Sequence, residues 1–119
     1  MSKTWDADIP IYLQLYQQVI KRILDGAIAE GEALPSVRNV ASEYQLNPVT
    51  ISKAYQMLQD ENIVEKERGK GLFVKTGVKA LILDREREYF LQKDWPKILE
   101  QVERLQLPPL DLLAKVKES

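Results

Sequence analysis

The stretch NPVTISKAY, which begins at Asn47, carries side chains whose chemistry is hydrogen bonding rather than catalysis. Asn47 followed by Pro48 is typical of a helix start, with Asn at the N-cap and Pro at the first helical position. The first turns then hold Val49, Thr50 and Ser52, which are weak helix formers. Short side chains let a helix N-terminus approach a partner closely, hydroxyls bond phosphates or bases, and methyl groups contact thymine. Taken alone, the pattern predicts either a DNA recognition helix or an ordinary capped helix start whose small polar side chains face solvent.

Enzymatic and metal chemistry are disfavoured by what the 119 residues lack. Histidine and cysteine are absent, which removes the commonest general base, the commonest metal ligand and every thiolate. No residue pair has the arrangement of nucleophile and base that catalysis needs. A run of carboxylates in the second half could be proposed as a metal cluster, but it alternates with basic residues, which favours a solvated helix face: Asp84, Arg85, Glu86, Arg87, Glu88, Lys93 and Asp94. We predict no enzyme, no metal and no cofactor.

Net charge alone argues mildly against a nucleic-acid partner, because 17 basic residues face 18 acidic ones and give a total of −1. Local placement decides what a surface binds, however. Lys66 and Arg68 fall on one side of a predicted strand, and the carboxylates of Glu65 and Glu67 fall on the other. Lys70 lies at the following turn. This hairpin presents either a cationic rim beside the recognition helix or an ordinary edge protected by charge.

Three helices are predicted in the first part of the chain. Apolar residues at intervals of three and four indicate a helix that begins near Pro10 and ends at Gly26. Ser36 caps a second, short helix with the sequence VRNVASEY. Asn47 caps a third helix that ends near Glu61. The intervening segment AIAEGEALP is predicted to be a connector.

The turn between the second and third helices departs from the usual chemistry. Gln45 occupies a position where Gly is common, because the residue often needs a positive φ. Gln should therefore carry an energetic cost there, unless the turn is built differently.

After the third helix, the residue pattern changes from helical spacing to the alternation of a strand. NIVEKERGKGLFVKTG reads as two short strands joined at Gly69-Lys70-Gly71. The order helix, helix, helix, strand, strand predicts a winged helix-turn-helix, a mainly α fold with a small β-hairpin. We expect this DNA-binding domain to cover residues 1–77.

Residues 78–119 are predicted to form a helical dimerisation tail. Three amphipathic stretches there carry more apolar side chains than the winged domain needs for its own burial, although covering that core is the plain alternative. DNA-binding proteins of this kind are often two-fold dimers. The residues assigned to the dimer interface are Phe90, Trp95, Ile98, Leu99, Val102, Leu105, Leu110 and Leu113.

Residues 10 to 75 resemble the GntR family of bacterial transcription regulators. The elements LPS-x-R, NP-x-T-x-S-x-AY and G-x-G-x-FV occur together and in register. The helical remainder is similar to the short tail of the YtrA subfamily. The resemblance implies a homodimer bound to an inverted repeat, usually as a repressor, and often at genes for ABC-type transporters.

Carried over by position, the resemblance implies DNA contacts from Arg38 and from the recognition-helix residues Thr50 and Ser52. Some relatives have Arg where this chain has Pro48 and Ser52, so the operator should differ. Gly69 and Gly71 match the wing tip that enters the minor groove. From the residues and the resemblance together, the predicted DNA-binding set is Ser36, Arg38, Asn47, Pro48, Val49, Thr50, Ser52, Lys53, Lys66, Arg68, Gly69, Lys70 and Gly71.

Two functions from different classes follow from the sequence. The first is a dimeric DNA-binding regulator in the bacterial cytoplasm, with double-stranded DNA and a second copy of itself as partners. The second is a winged-helix protein-interaction module without sequence-specific DNA binding. Separate cations favour the first: Arg38, Lys53, Lys66, Arg68 and Lys70. No membrane partner is expected, because no apolar run approaches the roughly 20 residues of a membrane helix.

Overall fold

The computed structural model of the chain describes residues 5–118, with side chains through residue 116. The described chain divides into two compact units, one ending at Ile82 and the other beginning at Leu83. The domain boundary after residue 77 stays a prediction. Sixteen apolar side chains form one buried cluster, and all of them belong to the first unit: Leu15, Val19, Ile20, Ile23, Ile28, Leu34, Val40, Ile51, Ala54, Tyr55, Leu58, Ile63, Val64, Val74, Val78 and Ile82.

The first helix, α1, spans Ile11–Leu24 and buries one face in this cluster. Pro10 is its N-cap, and the Pro10 carbonyl accepts hydrogen bonds from the amides of Leu13 and Gln14. Gly26 follows the helix with a φ of 81°, a left-handed conformation that suits glycine. The predicted helix and its end at Gly26 are therefore confirmed.

The next two helices form the helix-turn-helix pair. α2 spans Val37–Tyr44 and α3 spans Pro48–Asp60. Gln45 joins them in the left-handed region, with φ 53° and ψ 48°. The Leu46 amide donates to the Ala41 carbonyl at 3.0 Å, which closes the end of α2 as glycine-based caps usually do. The turn thus needs the positive φ that the sequence position suggested.

The hairpin consists of β1, Val64–Glu67, and β2, Gly71–Val74, paired antiparallel with Glu67 opposite Gly71. The predicted turn Gly69-Lys70-Gly71 is displaced by one residue, because Gly71 already pairs in β2. Arg68 consequently lies in the turn, so the predicted strand face shared by Lys66 and Arg68 is wrong for Arg68.

The connector before α2 is more ordered than the sequence suggested. Ala33 forms an antiparallel bridge with Phe73, and the Leu34 amide donates to the Leu72 carbonyl at 2.8 Å. The Gly31 amide donates to the Val74 carbonyl at 2.7 Å. The connector therefore covers the otherwise open edge of β2, which removes a row of unpaired backbone groups.

The chain after the hairpin is helical. α4 spans Val78–Tyr89, a π-helical turn spans Phe90–Asp94, and α5 spans Trp95–Arg104. α6 spans Pro109–Glu118. The prediction of a mainly α fold with a small hairpin, a winged helix-turn-helix followed by helices, is confirmed. The π-helical turn, which joins α4 to α5, was not predicted.

Candidate nucleic-acid interface

Helix α3 has a buried face and an exposed face, as a recognition helix requires. Its inner face is anchored in the core by four side chains: Ile51, Ala54, Tyr55 and Leu58. Val49, Ser52, Lys53 and Gln56 recur at intervals of three and four on the opposite face, and all four are exposed. Packing of the inner face therefore stabilises a helix whose first turns are weak helix formers.

The starts of α2 and α3 are each capped by a predicted site residue. The Ser36 hydroxyl oxygen accepts from the Asn39 amide at 3.1 Å, and the Asn47 side-chain oxygen accepts from the Val49 amide at 3.0 Å. Such caps stabilise a helix by about 1 kcal/mol each. Both residues are exposed, and each keeps a donor, the Ser hydroxyl hydrogen or the Asn amide, that a cap does not use.

Most of the remaining predicted residues on the helices are open to solvent. Pro48 and Val49 are exposed, and 70% of the surface of Val49 is accessible. Thr50 is half-buried. Arg38, in the first turn of α2, is exposed and forms no ion pair within the described residues. Methyl, hydroxyl and guanidinium groups are thus all accessible to a partner.

The wing tip presents three cations around two glycines. Lys66, Arg68 and Lys70 are exposed. Gly69 has a φ of 76° and Gly71 a φ of 97°, and a Cβ at either residue would meet no atom within 4 Å. Backbone conformation, rather than lack of space, therefore favours glycine at both positions.

Lys53 is held by a residue that was not among the predicted site residues. Its ammonium lies 4.2 Å from the centroid of the Tyr12 ring on α1, within the range of a cation–π interaction. Tyr12 belongs to the apolar spacing of α1, and that spacing alone gives no sign of its contact with Lys53.

Tyr55, the last residue of NPVTISKAY, lies on the buried face of α3. Its ring is buried, with 6% of the surface accessible, and its hydroxyl donates to the Pro35 carbonyl at 2.7 Å. Burial raises the pKa of Tyr55 to about 12, further above the physiological range, in which a tyrosine hydroxyl is in any case protonated and able to donate.

The predicted dimer residues lie in the second unit, and their apolar side chains remain accessible. Val102 is half-buried, and the others are exposed by 37% to 80%: Phe90, Trp95, Ile98, Leu99, Leu105, Leu110 and Leu113. Between residues 83 and 116, none of the described side chains is buried. The rings of Phe90 and Trp95 lie 6.3 Å apart across the π-helical turn.

Two further features concern residues 5–118 as a whole. The described Asp and Glu side chains form no group of three or more that could hold a metal ion. No helix among the described residues has both the length and the apolar character needed to cross a membrane.

Comparison with known proteins agrees with this geometry. Residues 11–74 match the family model for bacterial regulatory proteins of the gntR family. The chain is 31% identical to the HTH-type transcriptional regulator YhcF of Bacillus subtilis, over 98% of this chain and 95% of YhcF. It is 40% identical to the HTH-type transcriptional repressor YtrA of the same organism, over 63% of this chain and 58% of YtrA.

A solved structure shows the same likeness. YtrA from Sulfolobus acidocaldarius, a GntR-family transcription factor, superimposes with a TM-score of 0.60 and 30% identity, over 77% of this chain and 97% of that chain. The matches to the two YtrA proteins support the YtrA subfamily, and the family consists of transcription regulators rather than enzymes. The chain belongs to the gntR family of bacterial regulatory proteins and is a DNA-binding transcription regulator.

Proposed function

We propose that the protein is a homodimeric repressor that binds an inverted-repeat operator in the bacterial cytoplasm. Repression is supported by the similarity to YtrA, which is named a repressor. The inverted repeat and the regulation of transporter genes come from the subfamily resemblance. Residues 1–77 serve as the DNA-binding domain and residues 78–119 as the dimerisation tail.

The observation that carries the proposal is the exposed face of α3, with short side chains at its start. In a helix-turn-helix, the N-terminal residues of the second helix meet base edges in the major groove. Val49 offers methyl groups to thymine, while Thr50 and Ser52 offer hydroxyls to bases or phosphates. Pro48 and Asn47 lie at the same helix end, where free amides and the helix dipole favour phosphate.

Charges around this helix supply the sequence-independent part of binding. Arg38 and Ser36 approach phosphates from α2, and Lys53 does so from α3. Lys66, Arg68 and Lys70 neutralise phosphates from the wing, and the family resemblance assigns its tip, at Gly69 and Gly71, to the minor groove. Each cation that meets a phosphate releases counterions, so binding becomes strongly dependent on salt.

Dimerisation through the tail is supported by its lack of a core. An amphipathic helix needs a partner to cover its apolar face. Since none of the described side chains between residues 83 and 116 is buried, a second copy of the tail is the proposed cover.

The experiment begins with selection of a duplex from a randomised pool by the wild-type protein, followed by titration of that duplex at several salt concentrations. The Arg38→Ala variant should bind at least about tenfold more weakly. Its plot of log affinity against log salt should be shallower by about 0.9 for each phosphate that the variant no longer neutralises.

Arg87→Ala is the matched control, because Arg87 is an exposed arginine of the second unit. This variant should bind the selected duplex within about twofold of the wild type. The proposed interface is wrong if the two variants bind alike, and the function is wrong if selection yields no preferred sequence.

A further inference from the structure

The residue before the cap of α2 lies where three parts of the proposed DNA surface meet. The Leu34 amide donates to the Leu72 carbonyl in wing strand β2, at 2.8 Å. The next residue, Pro35, accepts the Tyr55 hydroxyl from α3, at 2.7 Å. Ser36, the N-cap of α2, follows directly. The wing and the recognition helix therefore both hold the start of the helix that carries Arg38.

The Pro35 carbonyl is available for this bond because α2 does not use it. The first backbone hydrogen bond of the helix is accepted by the next residue, Ser36, whose carbonyl bonds the Val40 amide at 3.1 Å. Proline also has no amide hydrogen with which to anchor this residue by its own donor. The Tyr55 hydroxyl thus provides a direct polar link between α3 and the residue that precedes the cap.

A phenylalanine would fill the core at position 55 as well as tyrosine does. The ring is buried and needs only apolar neighbours, whereas a buried hydroxyl requires a hydrogen-bond partner. What the oxygen adds is the fixed bond to Pro35. A tyrosine hydroxyl, with an ordinary pKa near 10, is already protonated at physiological pH, and burial moves the pKa of Tyr55 further upward, so the donor is present throughout that range.

We infer that Tyr55 is a positioning residue for DNA binding, whose hydroxyl fixes the start of α2 and thereby holds Ser36 and Arg38 in register with the exposed face of α3. The inference rests on the proposed function, because it assumes that Arg38 contacts DNA. It adds a residue that does not itself touch the duplex. The link acts on where the guanidinium lies and not on how many charges the surface carries.

The test is Tyr55→Phe, which removes one oxygen and keeps the ring. With the duplex selected by the wild-type protein, affinity should fall about threefold to tenfold, as expected for loss of one buried hydrogen bond that orients a binding group. In an Arg38→Ala background, the same substitution should lower the affinity for the duplex by less than about twofold, because the guanidinium that it positions is already absent.

Tyr16→Phe is the matched control. The Tyr16 hydroxyl on α1 bonds the Glu61 carboxylate at the far end of α3, so its loss also removes a tyrosine hydrogen bond from the same unit. Urea unfolding measures how much the free energy of unfolding falls in each Phe variant, so their DNA affinities can be compared at a known loss of stability. Only Tyr55→Phe should weaken DNA binding, and Tyr16→Phe should stay within about twofold of the wild type.

The outcomes separate this inference from the proposed function. If Arg38→Ala binds like the wild type, the proposed function fails first. If Arg38→Ala binds the duplex weakly, three results would still overturn the inference and leave Tyr55 a structural role only. Tyr55→Phe could bind the duplex like the wild type, it could lose the same affinity with or without Arg38, or Tyr16→Phe could lose as much affinity as Tyr55→Phe.

Discussion

At the scale of single residues, Gln45 determines how the chain passes from α2 into the recognition helix. It adopts the left-handed conformation, with a φ of 53°. For residues other than glycine this conformation costs about 1 kcal/mol, because Cβ crowds the following carbonyl. The helix pair thus carries a small strain at its turn, which the packed faces of α2 and α3 offset.

Gln45→Gly should raise the free energy of unfolding by about 0.5–1 kcal/mol, since glycine adopts this conformation without the steric cost. Urea unfolding followed by circular dichroism measures the change. Gln17→Gly, at an exposed position within α1, should lower stability by a similar amount, because glycine is unfavourable inside a helix. A Gln45→Gly protein less stable than the wild type would contradict the assignment of strain to this residue.

Cap residues and left-handed positions could be predicted because their chemistry is local. Ser36, Asn47 and Gly26 each act within a few residues of their own position, so the sequence indicates their roles directly. The contacts of Tyr55 with Pro35 and of Tyr12 with Lys53 join different elements. Periodicity places a tyrosine on a face of a helix, but the atom that its hydroxyl or ring meets depends on tertiary packing.

At the scale of elements, the strongest departures from the sequence prediction arise where a pattern is short. The connector pairs with β2 only from Gly31 to Leu34, a stretch too short for a period of two to be visible. The π-helical turn ends at Asp94, two residues before Pro96. Proline cannot donate the usual backbone bond to the residue four positions earlier, and a widened turn lets the helix continue through it.

The start of α4 is held by a residue from the connector. The Glu30 carboxylate accepts from the Lys79 amide at 2.9 Å, in the first turn of the helix. This bond, with a second from the Gly77 amide, lowers the pKa of Glu30 below its ordinary value of 4.5. A carboxylate whose pKa is lower in the folded state stabilises that state fully at pH values above its unfolded pKa. The contribution is lost as the pH falls through its folded pKa.

Glu30→Gln should therefore be less stable than the wild type at pH 7, because the amide side chain lacks the charge that these amides and the helix dipole favour. The gap between the two proteins should close as the pH falls below 4.5. Urea unfolding at pH 7, 5, 4 and 3 follows the gap. A gap that stays constant over this range would show that the charge of Glu30 does not hold the start of α4.

At the scale of the whole molecule, the two units differ in how their apolar residues are used. The first unit buries sixteen side chains in one cluster, enough to explain its fold without a partner. The second unit has amphipathic helices but no buried side chain among those described between residues 83 and 116. The amphipathic pattern could be predicted from the sequence. The surface that covers the apolar faces could not, because the sequence of one chain does not specify which molecule packs against them.

Leu99→Asp tests the proposed role of the tail as the dimer interface. Leu99 lies on the apolar stripe of α5 with Trp95 and Val102, and 38% of its surface is accessible in the single chain. If a second copy covers this stripe, an aspartate there buries an unpaired charge, which costs several kcal/mol and should dissociate the dimer. Sedimentation velocity should then show a monomer. The helical circular dichroism signal should persist, because the core of the first unit is unchanged.

Lys97→Asp is the control for that experiment, because Lys97 lies on the exposed polar side of the same helix and receives the same new side chain. Its dimer should sediment like the wild type. Loss of the dimer should also weaken binding to an inverted repeat far more than binding to a single half-site, since a two-fold protein gains its affinity from contacting both halves at once. A Leu99→Asp protein that remains dimeric would place the interface outside this stripe.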